Sequence, residues 1–314
     1  MASMKQICIF GGMHGNEMSG VHLVRKWEKN PESVTRSTFQ TKMLIANPIA
    51  VKLVRRYKDV DLNRQMSPEN FKVEINENTP YEVRRAKELK GMLSEGGEIG
   101  ECEFILDLHN TTANNKVSLL HMESNDFNMH LMHYVSAHLP EGMCYIMSLA
   151  GNVSYDSGRG LGKYGGVGIE VGPQPQGVLR ADIMSLQESS VHFALDFIEN
   201  YNNGEEFPEV NFSAYKAVTK IPYPQDVEGH LTAMIHPSLQ DQDWKLLTLN
   251  DPVFLSFDGN VLYLKDIIED SSSGPFYPAF INEAAYYEKG IAFYLTTQYN
   301  VCAKKLSKKS FEFQ

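Results

Sequence analysis

The chain has 314 residues, 42% of them hydrophobic and 22% charged, with a formal net charge of −10. That length fits one large domain or two and can bury a sizeable core without disulfide staples. The negative balance argues against generic attraction to nucleic acid or to an anionic membrane surface, while leaving room for a locally positive cleft.

The first two thirds alternate strand and helix patterns. Residues 6–10 form a short apolar run that ends at Gly11-Gly12, and a helical pattern follows with Val21, Leu23, Val24 and Trp27 on one side. Residues 43–46 are a second run, closed by Asn47-Pro48. Thr79-Pro80-Tyr81-Glu82 reads as a helix start, with Thr79 capping, Pro80 in the first helical position and Glu82 completing a capping box. Further strands are expected at 104–108, 144–149 and 167–171, and helices at 126–138 and 181–200. The alternation predicts an α/β layer around a mostly parallel sheet.

After Asn202-Asn203-Gly204 the pattern changes to short β-like runs, with a hairpin turn at Asp258-Gly259. The expected division is an α/β domain over residues 1–203 and a smaller β-rich domain over 204–314, its basic tail from Lys304 frayed. Cys8, Cys102, Cys144 and Cys302 form no CxxC pair, which suggests neither a zinc ribbon nor a disulfide framework. No signal-peptide pattern and no run of about 20 apolar residues is present, so a cytoplasmic protein is expected.

The segment Phe10-Gly-Gly-Met-His-Gly-Asn-Glu17 carries the strongest chemical signal. His14 and Glu17, three residues apart on a turn entering a helix, can face one ion. A catalytic zinc needs about three protein ligands and an open position. Asp107-Leu-His-Asn110 supplies His109 at another strand end, where sites in open α/β sheets lie. Asp107 reads either as an outer partner of that histidine or as a buried hydrogen-bond acceptor. Glu170 stands in the apolar run 167–171, where a carboxylate is costly unless it has a role or a salt-bridge partner. His130, His133 and His192 lie in helical patterns and read as packing or surface residues, and His236 as structural.

Five motifs in order carry a resemblance: GGMHGNE, the DLNR of Asp61–Arg64, DLHNTT from Asp107, GIEVGPQPQG from Gly168 and NEAAYYEK from Asn282. Together the chain resembles the aspartoacylase/aminoacylase family, a branch of the zinc carboxypeptidase-like hydrolases, over nearly its whole length. The resemblance implies a zinc carboxypeptidase-like domain with a mixed, largely parallel sheet flanked by helices, and a C-terminal domain that narrows the entrance to the site. It implies one zinc ion per subunit on His14, Glu17 and His109, with Glu170 as general base and Arg56 polarising the scissile carbonyl. Asn63 and Arg64 would hold the substrate α-carboxylate, with Lys220 a nearby cation, Tyr286 reaching in from the second domain and Glu283 holding the domains together. The implied assembly is a homodimer or higher oligomer, acting on a small-molecule N-acyl amino acid.

Tyr155 and Arg159 bear on the substrate. In this family a Tyr and, four residues on, an Arg mark the pocket wall of members acting on N-acetyl-L-aspartate, the Arg pairing with the side-chain carboxylate. Members acting on N-acetylated aromatic amino acids and mercapturates lack the Arg. The spacing is kept here, which makes N-acetyl-L-aspartate the expected substrate and the aromatic class the alternative. The stretch from Arg159 to Glu170 is one residue longer than the family pattern, and its glycines (158, 160, 162, 165, 166) read as a mobile loop. A metal-binding protein without catalysis would be expected to lack one of the catalytic positions, and each is occupied.

Overall fold

The computed structural model describes residues 3–122, 125–151, 156–268 and 274–308. The strands are β1 (Gln6–Gly11), β2 (Gln40–Ile45), β3 (Phe104–Asn110), β4 (Lys116–His121), β5 (Cys144–Ser148), β6 (Gly166–Gly172), β7 (Val210–Pro222), β8 (Ala233–Ile235), β9 (Pro252–Ser256), β10 (Val261–Tyr263), β11 (Phe276–Ala279) and β12 (Ile291–Ala303). The helices are α1 (Met18–Lys29), α2 (Pro48–Leu53), α3 (Pro68–Lys72), α4 (Tyr81–Met92), α5 (Asp126–His138), α6 (Ser157–Leu161) and α7 (Ala181–Asn203).

Nine strands form one mixed sheet in the order β11-β12-β7-β5-β4-β6-β3-β1-β2, and β10-β9-β8 form a second, small sheet. The β2-β1-β3-β6 half is parallel, β4 runs antiparallel to β6, and β5 pairs in parallel with both β4 and β7. The strands β7, β12 and β11 from beyond residue 203 thus continue the main sheet. The β5–β7 junction is only two residue pairs long, Met147↔Tyr215 and Ser148↔Lys216. Asp258-Gly259 lies between the antiparallel strands β9 and β10, with Gly259 at φ +90°.

Alternation along the strands decides what faces what. In β1, Ile7 and Ile9 enter the largest core with Phe104, Leu106 and Leu108 of β3, while Cys8 and Phe10 pack with Ile105 on the other face. Phe127 of α5 is fully buried, with Phe104, Phe197 and Tyr201 edge-on at centroid distances of 5.6, 5.3 and 5.2 Å. Truncating so enclosed a ring to Ala costs about 3–5 kcal/mol. His130 Nε2–H donates to Lys304 O at 2.7 Å, His133 stacks on Phe212, and His192 meets the edge of Trp27, so all three are packing residues.

Two local expectations fail for physical reasons. Thr79 does not cap α4; its Oγ1 accepts from Asn76 N–H, and the N-cap position falls on Pro80. Glu82, fully buried, accepts instead from the backbone N–H groups of Lys58, Asp59 and Val60 and from Asn47 Nδ2. A carboxylate can satisfy several orphan amides at once, and here it braces the loop that carries Arg56 and Asp61. The tail is also not frayed at its start: Leu306 is 1% exposed and bonds Phe207 in both directions.

Candidate active site

The carboxyl ends of β1, β3 and β6 lie side by side, and all three deliver groups to the same cavity. β1 ends at Gly11, and Gly12 takes φ +67°, a conformation that disfavours other residues, so the chain turns at once into His14. The turn His14–Glu17 closes with Glu17 N–H donating to His14 O, and α1 begins at Met18. β3 places Asp107 and His109 on one face, two residues apart, and His109 pairs in register with Glu170 of β6.

His14 Nδ1 and His109 Nδ1 stand 3.2 Å apart. Glu17 reaches both, with Oε1 2.6 Å from His14 Nδ1 and Oε2 2.8 Å from His109 Nδ1. Each imidazole turns its other nitrogen to a buried carboxylate: His14 Nε2 to Asp61 Oδ1 at 3.1 Å, and His109 Nε2 to Asp107 Oδ2 at 3.2 Å. With each Nε2–H donated to its outer carboxylate, as in a metal-bound imidazole, Nδ1 is left as a lone pair. Both Nδ1 lone pairs and the Glu17 carboxylate therefore converge, and this donor set fits a zinc ion. The wall adds Asp156, Glu170 and Glu283 to Glu17 and Asp107, five carboxyl groups against the two guanidiniums of Arg56 and Arg64.

The titration behaviour of these groups follows from the same contacts. Burial would raise Glu17, but the charges of His14 and His109 overcome it and hold the carboxyl below its ordinary range. Burial would lower His109, and Asp107 and Glu17 instead favour a proton on it; a metal ion would compete for that position. Glu170 is pushed up to about 8, first by burial and then by Glu17 and Glu283, against the opposing charges of His109 and Arg56.

Arg56 follows α2, whose Asn47 cap accepts from Ala50 N–H. Its Nη1 donates to Glu17 Oε1 at 3.2 Å, and its Nε and Nη2 donate to Asp61 Oδ2 at 3.3 and 3.1 Å. Asp61 also accepts from Asn63 N–H at 3.0 Å, so one carboxylate fixes His14, Arg56 and the Asn63-Arg64 turn. Arg64 lines the cavity, and among the described residues its guanidinium donates to the neighbouring Asn63 O at 3.4 Å.

The cavity is lined both by these strand ends and by residues from beyond 203. It brings together His14, Glu17, Arg56, Asn63, Arg64, His109, Glu170 and Tyr286. Arg159 and Lys220 do not line it: Arg159 is exposed on α6, although Asp156, Ser157 and Gly158 just before it are wall residues, and Lys220 is exposed with its Nζ 5.7 Å from the Tyr294 ring centroid. Tyr155 lies outside the described residues. Apolar and aromatic side chains also line the cavity: Leu120, Leu149, Phe280, Tyr286 and Tyr294. Residues beyond 203 supply Phe280, Glu283, Ala285, Tyr286 and Tyr294 to it. Glu283 ties the two halves, accepting at Oε2 from Thr111 Oγ1, from Thr112 N–H at 2.6 Å and from Thr112 Oγ1 at 3.0 Å.

Two further residues shape the site without a motif to announce them. Ser157, fully enclosed, donates to Asp107. Gln187 of α7, 0% exposed, donates through Nε2 to His109 O at 2.8 Å and to Ile169 O at 3.3 Å, clipping together the strand ends that carry His109 and Glu170. A signal for it exists in the sequence, since Ile183, Gln187 and Val191 share one helical stripe and a polar residue in a buried stripe needs partners.

A family profile described as the succinylglutamate desuccinylase/aspartoacylase catalytic domain matches residues 3–198, and the barrel-sandwich hybrid domain of the same family matches residues 210–298. Aspartoacylase of Mus musculus is 43% identical over 305 residues, covering 96% of each chain. The N-acyl-aromatic-L-amino acid amidohydrolase (carboxylate-forming) of Homo sapiens is 41% identical over 299 residues, covering 94% of this chain and 91% of that one. The crystal structure of murine aminoacylase 3 superposes with a TM-score of 0.90 at 36% identity, covering 98% of this chain and all of that one.

Proposed function

The chain belongs to the succinylglutamate desuccinylase/aspartoacylase family of amidohydrolases, and from that premise we propose that it is a zinc-dependent deacylase of N-acyl amino acids, with N-acetyl-L-aspartate, cleaved to acetate and L-aspartate, as its preferred substrate. The observation that carries the hydrolytic reading is the convergence of His14 Nδ1, Glu17 and His109 Nδ1 in a cavity that also holds Glu170 and Arg56. Bound by those three side chains, zinc supplies Lewis-acid polarisation and lowers the pKa of water to about 7.

The remaining chemistry falls to the chain. Glu170 takes a proton from the attacking water; the water oxygen bonds to the carbonyl carbon, the C–N bond breaks, and Glu170 passes its proton to the departing nitrogen. Arg56, oriented by Asp61, donates to the oxyanion as charge develops on it. Arg64, a guanidinium at the cavity wall with the Asn63 amide beside it, is suited to bidentate capture of the α-carboxylate. Phe280, Tyr286 and Tyr294, from beyond residue 203, line the cavity, and in this reading they narrow it against long peptides.

The aspartate preference rests on Arg159, which leaves α6 one residue after the cavity-lining Gly158 and would have to turn inward to meet a second carboxylate. A second reading, N-acetylated aromatic amino acids and mercapturates, is favoured by the apolar wall of Leu120, Leu149, Phe280 and Tyr294. Initial rates of the zinc-loaded protein on N-acetyl-L-aspartate and N-acetyl-L-tyrosine separate the two. Faster turnover of the tyrosine derivative selects the second reading, and hydrolysis of neither removes the deacylase assignment.

A further inference from the structure

Asp107 is the outer partner of His109, and something must in turn hold Asp107. The terminal torsion of an aspartate is broad, so a carboxylate with one partner can rotate away from its histidine. Ser157 supplies the second partner. Its side chain is 1% exposed, and its Oγ–H donates to Asp107 Oδ2 at 2.5 Å, the same oxygen that faces His109 Nε2 at 3.2 Å. Among the described residues Asp107 Oδ1 is buried with no hydrogen-bond partner, and both of the contacts seen for this carboxylate run through Oδ2.

Ser157 is itself held in place. It opens α6, which Asp156 caps by accepting from Arg159 N–H at 2.9 Å. Near its end α6 lies against the backbone close to the Asn63-Arg64 turn: a Cβ added at Gly160 would come within 2.3 Å of Met66 O. Residues 157–161 of the glycine-rich stretch thus form a packed helix, and Gly160 serves close approach.

We propose that Ser157 is a positioning residue for the zinc site: by pinning Asp107 Oδ2 it keeps the His109 ring aimed with Nδ1 toward the ion, and it links the segment bearing Arg159 to a metal ligand. The proposal rests on the zinc reading of His14, Glu17 and His109. It goes beyond that reading by giving metal affinity a determinant on the substrate side of the cavity.

The test is the zinc dissociation constant of the full chain, by competition with a chromophoric chelator, for wild type, Ser157→Ala and Ser157→Thr, with the melting temperature of each metal-free protein alongside. Loss of an outer partner such as Asp107 weakens metal binding by about 10-fold to 100-fold, so releasing that partner in Ser157→Ala should weaken zinc binding by about 10-fold, the lower end, while Ser157→Thr, which keeps the hydroxyl, stays within about threefold of wild type. A purely structural serine would lower the metal-free melting temperature and leave zinc affinity unchanged. Equal affinity in wild type and Ser157→Ala, or an equal loss in Ala and Thr, overturns the proposal. If Ser157→Ala does not fold, Ser157→Cys, similar in shape but a weak donor, takes its place with the same expectation and the same overturning result. A wild type that binds no zinc would instead overturn the deacylase mechanism itself, so the two failures are distinct.

Discussion

His14 and His109 face each other through their Nδ1 atoms across 3.2 Å, each with its Nε2 turned to a carboxylate of its own. Two ring lone pairs that close repel unless a proton or a cation lies between them. The fold therefore stores an arrangement that an ion completes, and an ion that binds only the folded state stabilises it. Chelation of the zinc-loaded protein should abolish hydrolysis and lower its stability, by ~4 kcal/mol if free zinc had stood at a thousand times its dissociation constant. Denaturant midpoints with and without chelator measure this, and readdition of zinc should restore both readouts. An unchanged midpoint after complete metal removal would count against the site.

Glu170 occupies the position next to the ligands but is none of the three converging donors. Replacing it by Gln keeps volume and removes the proton acceptor. Glu170→Gln should lower kcat by roughly 100-fold to 10,000-fold, the usual worth of a positioned acid–base group, with bound zinc still near one per chain. Wild-type turnover in this variant would show that another group moves the proton.

The parts of this centre that local patterning encodes are legible in the sequence. His14, Glu17 and His109 follow from a strand end, a glycine turn and a second strand end, and β1, β3, β6, α5 and α7 fall where periodicity puts them. β4 is not legible in this way, because Lys116 starts it at φ +57° right after the polar pair Asn114-Asn115. The merging of β7 and β12 into the main sheet depends on the two backbone pairs between β5 and β7, which no local pattern encodes. The aim of Arg159 depends on the direction in which a five-residue helix presents its side chains, and spacing alone cannot give that. Glu82 shows the converse: its spacing matches a capping box, but three amides of the 58–60 loop outcompete the helix end for it.

Arg159→Ala separates the two substrate readings. Removing a charge-assisted hydrogen bond to a substrate carboxylate costs about 1.5–3 kcal/mol, which is roughly 10-fold to 100-fold in kcat/KM. If Arg159 turns inward to the aspartate side chain, kcat/KM for N-acetyl-L-aspartate should fall by that factor and the value for N-acetyl-L-tyrosine should hold. If the guanidinium stays on the surface, both values should hold, and the apolar wall becomes the determinant.

A buried carboxylate that does not line the cavity makes a pH-dependent prediction. Asp243 is 7% exposed, its Oδ1 accepts from Ile281 N–H at 3.0 Å, and burial pushes its carboxyl up from 3.8 to about 7. Between those values the folded chain holds a proton that the unfolded chain has released, so stability falls as pH rises through the window and is fully reduced above about 7. At ~1.4 kcal/mol for each pH unit that separates the folded from the unfolded value, the full reduction is roughly 4 kcal/mol. Asp243→Asn keeps the acceptor for Ile281 and cannot ionise. The variant should match wild type near pH 4 and exceed it increasingly toward pH 8, read as the difference between their urea midpoints. A difference that stays flat across that range would mean that Asp243 is ionised in the folded protein throughout.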